Sequence, residues 1–208
     1  MTARSLPRLY LLTDRHQTAQ RPLLSVVTTA LEGGARLIQL REKDLSTREL
    51  YQLAHNLIPL FTLHQAHWLI NDRIDLVLAL NAPGVHLRTS SLPTGIARQL
   101  LGPDRLIGVS THSQEEVLRA EGEGADFVVL GPVFDTPSKR MYGRPLGLQV
   151  LENTCRATRL PVYAIGGITP EHVPDLQSLG AYGVAVISSI LQAPNIQDAT
   201  KKFLDLLT

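Results

Sequence analysis

Cysteine is nearly absent from this chain. One residue, Cys155, stands among 208 positions, so no disulfide can form within it. It lies in the helical-looking stretch GLQVLENTCRA, where a small packed thiol is expected rather than a nucleophile. Net charge is also scarce. At +1 the chain carries no electrostatic footprint for nucleic acid or an anionic membrane surface. No apolar run approaches the roughly 18 residues that span a bilayer. The opening MTARSLPRLYLL lacks the long apolar segment and small-residue cleavage site of a secretory leader. His16, His55, His64, His67 and His172 show no mutual metal-ligand spacing. No linker or low-complexity segment divides the sequence. The expectation is one cytoplasmic domain over 1–208, with neither nucleic acid nor membrane as partner. Its oligomeric state is left open, a homo-oligomer included.

What is present is a repeated module. Eight apolar runs read as strands: Leu9–Thr13, Arg36–Leu40, Trp68–Asn71, Gly84–Leu87, Leu106–Ser110, Phe127–Leu130, Val162–Ile165 and Val184–Ile187. Helical patterns separate most of them. Leu50, Leu53, Ala54, Leu57 and Phe61 follow a 3.6-residue period behind the capping box Ser46-x-x-Glu49. Ser113-x-x-Glu116 opens another helix, and the stretches 92–101 and 199–207 read as two more. A helix-ending Gly-Ala recurs before strands at Gly34-Ala35, Gly124-Ala125 and Gly180-Ala181. Strands alternating with helices argue for a parallel sheet, and eight such units in this length argue for a closed (β/α)8 barrel. An open doubly wound sheet is the alternative.

In such a barrel, function collects where strands end. The stretch 161–190, PVYAIGGITPEHVPDLQSLGAYGVAVISSI, places Gly166-Gly167 and Ser188 past neighbouring strand ends. Glycine N–H groups, a hydroxyl and a helix opened by Thr169-Pro170 together suit a phosphate. The remaining rim carries Gln39, Arg41 and Lys43 after strand 2, Asn71 and Asp72 after strand 3, and Ser110 and His112 after strand 5. Thr136, Ser138, Lys139 and Arg140 follow strand 6 in a long loop over 135–147 that is able to close over a substrate. Lysines, arginines and hydroxyls suit an anion. Asp72 suits Mg²⁺ bridging phosphate oxygens. Structural alternatives stand beside these roles: Arg41 and Glu42 paired with barrel neighbours, Asp72-Arg73 as a helix-opening acid with a salt bridge, His112 as a helix-entry hydrogen-bonder rather than a proton-transfer group, and His86 as a structural imidazole.

QLREKD (39–44), INDRID (70–75), GVHL (84–87), GVSTHS (108–113), GPVFDTPSK (131–139), AIGGI (164–168) and GVAVIS (183–188) together resemble the thiamine-phosphate synthase/TenI family. The resemblance implies a (β/α)8 barrel and one of two chemistries. The synthase couples hydroxymethylpyrimidine diphosphate to thiazole phosphate with release of pyrophosphate, using Mg²⁺ and passing through a pyrimidine carbocation. For that chemistry it implies Gln39, Arg41, Lys43, Asn71, Ser110 and Lys139 on the pyrimidine diphosphate and Asp72 on the metal. Thr136, Ser138, Gly167, with Gly166 beside it, Ile187 and Ser188 fall on the thiazole phosphate. The catalytic set is then Lys43 and Lys139. The TenI branch instead implies a thiazole tautomerase, metal-free, with His112 as the catalytic acid/base.

One departure divides these readings. After GVHL the synthase pattern runs Gly-Gln-x-Asp, the Asp being a second Mg²⁺ ligand. Here the loop is Arg88-Thr89-Ser90-Ser91, and Ser91 brings no charge to a metal. That change favours the tautomerase or a synthase with a weakened or altered metal site, and Asp135 adds to the tautomerase side; Lys43, Asn71, Asp72 and Lys139 favour the synthase, which leads. A non-catalytic thiazole-phosphate or thiamine-phosphate binder is the third reading.

Overall fold

A computed structural model describes residues 6–136 and 144–207. Eight parallel strands close into one barrel in chain order: β1 (Leu9–Leu12), β2 (Leu37–Leu40), β3 (His67–Asn71), β4 (Gly84–Leu87), β5 (Leu106–Thr111), β6 (Phe127–Leu130), β7 (Val162–Ile165) and β8 (Gly183–Val186). Closure is made by β8 against β1, with Val184 opposite Leu9. The helices are α1 (Leu23–Glu32), α2 (Thr47–Leu63), α3 (Ile74–Ala79), α4 (Thr94–Leu101), α5 (Gln114–Gly122), α6 (Gly147–Ala157), α7 (Val173–Ser178), α8 (Ser188–Leu191) and α9 (Ile196–Leu206). The expected (β/α)8 barrel is the observed fold, and the open sheet is not.

Both faces of every strand are buried, which is why the strands read as unbroken apolar runs. Leu9, Leu11, Ile38, Leu40, Ile70, Val85, Val128 and Val184 face outward into the layer beneath the helices. Tyr10, Leu12, Leu37, Leu69, Leu106, Phe127, Val129, Tyr163 and Ala185 face the interior. Each such side chain contributes roughly 1.5–3 kcal/mol when fully buried. Rings fill the barrel floor. Phe127 meets Tyr10 edge-on at 5.4 Å and Tyr163 at 5.3 Å. Room for them comes from Gly108 on β5, where an added Cβ would lie 2.3 Å from the Phe127 ring.

Local signals set the helix ends. Ser46 and Glu49 form a reciprocal capping box on α2. Ser113 Oγ accepts from Glu116 N–H at 3.2 Å, but Glu116 Oε2 takes the His112 N–H instead, at 2.6 Å. Two expected helices shift. The stretch opened by Thr169-Pro170 begins as a 3-10 turn, Pro170–His172, before α7. The last helix starts at Ile196 rather than near 199, because Asn195 caps it by accepting from Asp198 N–H at 3.1 Å. Cys155 lies in α6, where burial pushes its thiol up to about 11, away from nucleophilic reactivity. Among the described residues, no helix is long and apolar enough to cross a membrane.

Candidate active site

Side-chain alternation carries polar groups to the barrel mouth. Leu37 on β2 faces the interior. Two residues on, Gln39 shares that face and is 1% exposed, and Arg41 continues the same parity beyond the strand. Asn71 follows Leu69 in the same way at the end of β3. Gln39, Tyr10, His86 and Ser110 then join into one chain of hydrogen bonds.

Their directions follow from donor counting. Gln39 Nε2 donates to Tyr10 Oη at 2.9 Å. The Tyr10 hydroxyl has one proton and gives it to His86 Nδ1 at 3.3 Å. A neutral imidazole must then carry its proton on Nε2, which donates to Ser110 Oγ at 2.9 Å. The Ser110 hydroxyl then keeps its own proton available as a donor. Gln39 Oε1 is buried and has no protein partner, an acceptor suited to a ligand N–H. His86 was expected to be structural, and it is fully interior. Its link to Ser110 joins it to the site, a connection that only strand stagger creates.

Burial pushes the His86 imidazole down to about 3, and the Arg41 charge adds to the effect. The ring is therefore neutral throughout the physiological range. In the unfolded chain it titrates near 6.5, so between about pH 6.5 and 3 the unfolded state binds more protons. The stability tied to the neutral ring is complete above about pH 6.5 and is lost as pH falls toward 3. The expected slope from this group is up to about 1.4 kcal/mol per pH unit. Urea midpoints of the wild type and His86→Gln across that window should converge on acidification. Parallel curves would mean that His86 is already charged in the fold.

Arg41 lies just past β2, its side chain 20% exposed, with its backbone N–H on Thr13 Oγ1 at 2.9 Å. Asp14 is a loose partner at 3.8 Å. Glu42 turns the other way: its side chain is 1% exposed, and its Oε2 accepts from Arg15 N–H at 3.0 Å. Lys43 is exposed in the loop that follows. Asp72 sits past β3 with φ +58°, and its N–H donates to His86 O at 2.9 Å. Arg88 Nε donates to Asp72 Oδ2 at 2.9 Å, Arg88 Nη2 holds the same oxygen, and Ser91 Oγ donates to Oδ1. Arg73 pairs with Asp75 instead.

These contacts bear on Mg²⁺. Both Asp72 oxygens are engaged, one of them by a cation, and Ser91 is neutral. Among the described residues no group of three His, Cys, Asp or Glu side chains is arranged to hold a metal. Asp72, engaged on both oxygens by Arg88 and Ser91, does not fit the role of a metal ligand in this arrangement.

Across the mouth, Gly166 and Gly167 take φ +102° and +64°, backbone that favours glycine. A Cβ on Gly167 would lie 2.5 Å from Asp135 O. Thr136 is half-buried beside this turn, Ile187 closes β8, and Ser188 is exposed at the first residue of α8. Ser138 and Lys139 lie outside the described residues. His112 is displaced from the chain of bonds around Ser110. Its ring is 45% exposed, and Nδ1 lies 3.4 Å from Glu116 Oε2 on α5.

The family model described as thiamine monophosphate synthase matches residues 9–190. A putative thiamine-phosphate synthase of Geobacter sulfurreducens is 47% identical over 199 residues, covering 96% of this chain and 93% of that protein. The chain belongs to the thiamine-phosphate synthase/TenI family. A thiamine-phosphate synthase of Clostridium novyi is 43% identical, with 93% and 95% covered. The solved thiamine phosphate pyrophosphorylase from Pyrococcus furiosus superposes with a TM-score of 0.87 at 36% identity, covering 96% of this chain and 95% of that one. The motifs point to neither Tyr10 nor the Arg88 contact with Asp72. Tyr10 gave no sequence signal beyond its strand position; Arg88 was visible only as a departure from the family loop.

Proposed function

We propose that this chain is a thiamine-phosphate synthase, joining hydroxymethylpyrimidine diphosphate to thiazole phosphate and releasing pyrophosphate. The observation that carries this reading is near-full-length similarity to proteins named for that activity, at 47% and 43% identity. The geometry supports it. Gln39, with an unpartnered buried carbonyl, and Asn71 receive the pyrimidine. Ser110, oriented by His86, donates its hydroxyl proton. Arg41 and Lys43 serve the diphosphate, and the family resemblance adds Lys139 to them. As the C–O bond breaks, negative charge builds on the leaving pyrophosphate, and fixed cations stabilise it most at that point. Thr136, Ser188 and the N–H groups of Gly166 and Gly167 hold the thiazole phosphate, a role the family resemblance extends to Ser138, with Ile187 against the ring, so that its nitrogen faces the carbocation. No step here is routed through a metal.

The test is direct. Purified protein with both substrates, with and without Mg²⁺, should form thiamine phosphate, read by fluorescence after oxidation. His112→Ala should keep turnover within about threefold, since its ring is directed to Glu116 rather than to Ser110. A protein that makes no thiamine phosphate but aromatises a thiazole phosphate carboxylate, and loses that activity with His112→Ala, would be the tautomerase instead.

A further inference from the structure

Asp72, Arg88 and Ser91 close on one another at the rim. The Ser91 hydroxyl accepts the Arg88 N–H at 2.7 Å and donates to Asp72, while Ser91 N–H returns to Arg88 O at 3.0 Å. The guanidinium is moored through Nε and Nη2 on a single carboxylate oxygen. A guanidinium has five N–H donors, so three are not used by Asp72. The Arg88 side chain is 43% exposed. It borders a cavity of about 320 Å³ that also meets Ser91, Ser110 and Thr111, with Arg119, Glu116 and Glu123 in its lining as well.

Arg41 lies within electrostatic reach. Burial chiefly lowers its pKa, and the nearby Arg88 charge lowers it further, against Asp14 and Glu42. Two guanidiniums that oppose each other on one rim are relieved by an anion placed near both. The corner's charge also balances. Where the family pattern has a divalent ion between two carboxylates, this chain has one guanidinium on one carboxylate. Either arrangement is formally neutral before substrate arrives. Exchanging the second acid for Ser91 removes a ligand, and placing Arg88 beside Asp72 supplies a cation in the same loop.

We propose that Arg88, held by Asp72 and Ser91, binds the substrate diphosphate and supplies the positive charge that a divalent ion would otherwise bring to this rim. The inference rests on the synthase reading. Diphosphate binding in this chain is then largely independent of added metal, and Asp72 acts as a positioning residue for Arg88 rather than as a metal ligand.

Inorganic pyrophosphate is the probe, titrated calorimetrically into the full chain in EDTA and in Mg²⁺. Wild type should bind in EDTA, with Mg²⁺ changing Kd by less than about threefold. Arg88→Gln should weaken metal-free binding by about tenfold or more, and Arg88→Lys, which keeps the charge but loses the fork, should fall between. Arg88→Gly/Ser91→Asp should bind well only with Mg²⁺ present. Wild-type binding that requires Mg²⁺, or Arg88→Gln and Arg88→Lys both binding like wild type in EDTA, would overturn the proposal. Turnover separates this from the synthase reading. Thiamine phosphate formed only with Mg²⁺, and equally by Arg88→Gln, removes Arg88 while the synthase stands. Its absence under every condition removes the synthase reading itself.

Discussion

Arg41→Ala is expected to lower kcat/KM for the pyrimidine diphosphate by about 10²–10³, on the order of 3–4 kcal/mol of transition-state stabilisation. The guanidinium is largely removed from water, and its protein partner Asp14 is loose at 3.8 Å. Desolvation first, with the Arg88 charge adding to it, pulls its pKa down against the raising effects of Asp14 and Glu42. A cation held at that cost, beside a polar barrel mouth, is suited to an incoming anion. Because charge on the departing pyrophosphate grows toward the transition state, kcat should fall along with affinity. The fold should survive, since Thr13 holds the Arg41 backbone N–H, not its side chain. A thermal midpoint within a few degrees of wild type would confirm that. Arg41→Lys should recover only part of the loss, because an ammonium cannot offer two parallel donors. Turnover by Arg41→Ala within twofold of wild type would remove this residue from the site.

Gly183→Ala is expected to produce the largest loss of stability from a single methyl group. Gly183 opens β8 at the seam where the barrel closes on β1. A Cβ there would lie 2.0 Å from Arg8 O and 2.9 Å from Arg8 Cα, so backbone rather than a flexible side chain must move. Nearby, Val184 N–H donates to Arg8 O at 2.9 Å, and Val184 lies opposite Leu9. Displacing Arg8 therefore disturbs the strand pairing that completes the barrel. Overpacking typically costs about 1–3 kcal/mol, and a clash with backbone belongs at the upper end, about 3 kcal/mol, which for a chain of this size lowers the thermal midpoint by roughly 6–12 °C. Differential scanning calorimetry measures it. A midpoint within 2 °C of wild type would show that the seam can open to admit a methyl group.

The strands were legible because a parallel barrel buries both faces of each one. Continuous apolar runs such as FVVL and VYAI then have no competing amphipathic reading, and their bounds fall within a residue of those observed. The Ser46 box announced α2 because both of its bonds are local. Asn195, which caps α9, stands outside the apolar periodicity of that helix, so pattern alone does not mark it. Glu116 was paired with Ser113 by spacing, yet the fold gives its carboxylate to His112.

The sequence by itself determined the barrel, the family and the rim on which the polar residues gather, since alternation and strand order follow from local pattern and short connections. It also marked 88–91 as a departure. Only the tertiary structure decided what that departure does. Arg88 reaches Asp72 because β3 and β4 are neighbours whose ends lie level, and spacing along the chain does not state that. The line from Gln39 through Tyr10 and His86 to Ser110 likewise joins four strands across the barrel. Its donors and acceptors become directional only when burial excludes water and leaves each group the partner that strand stagger supplies.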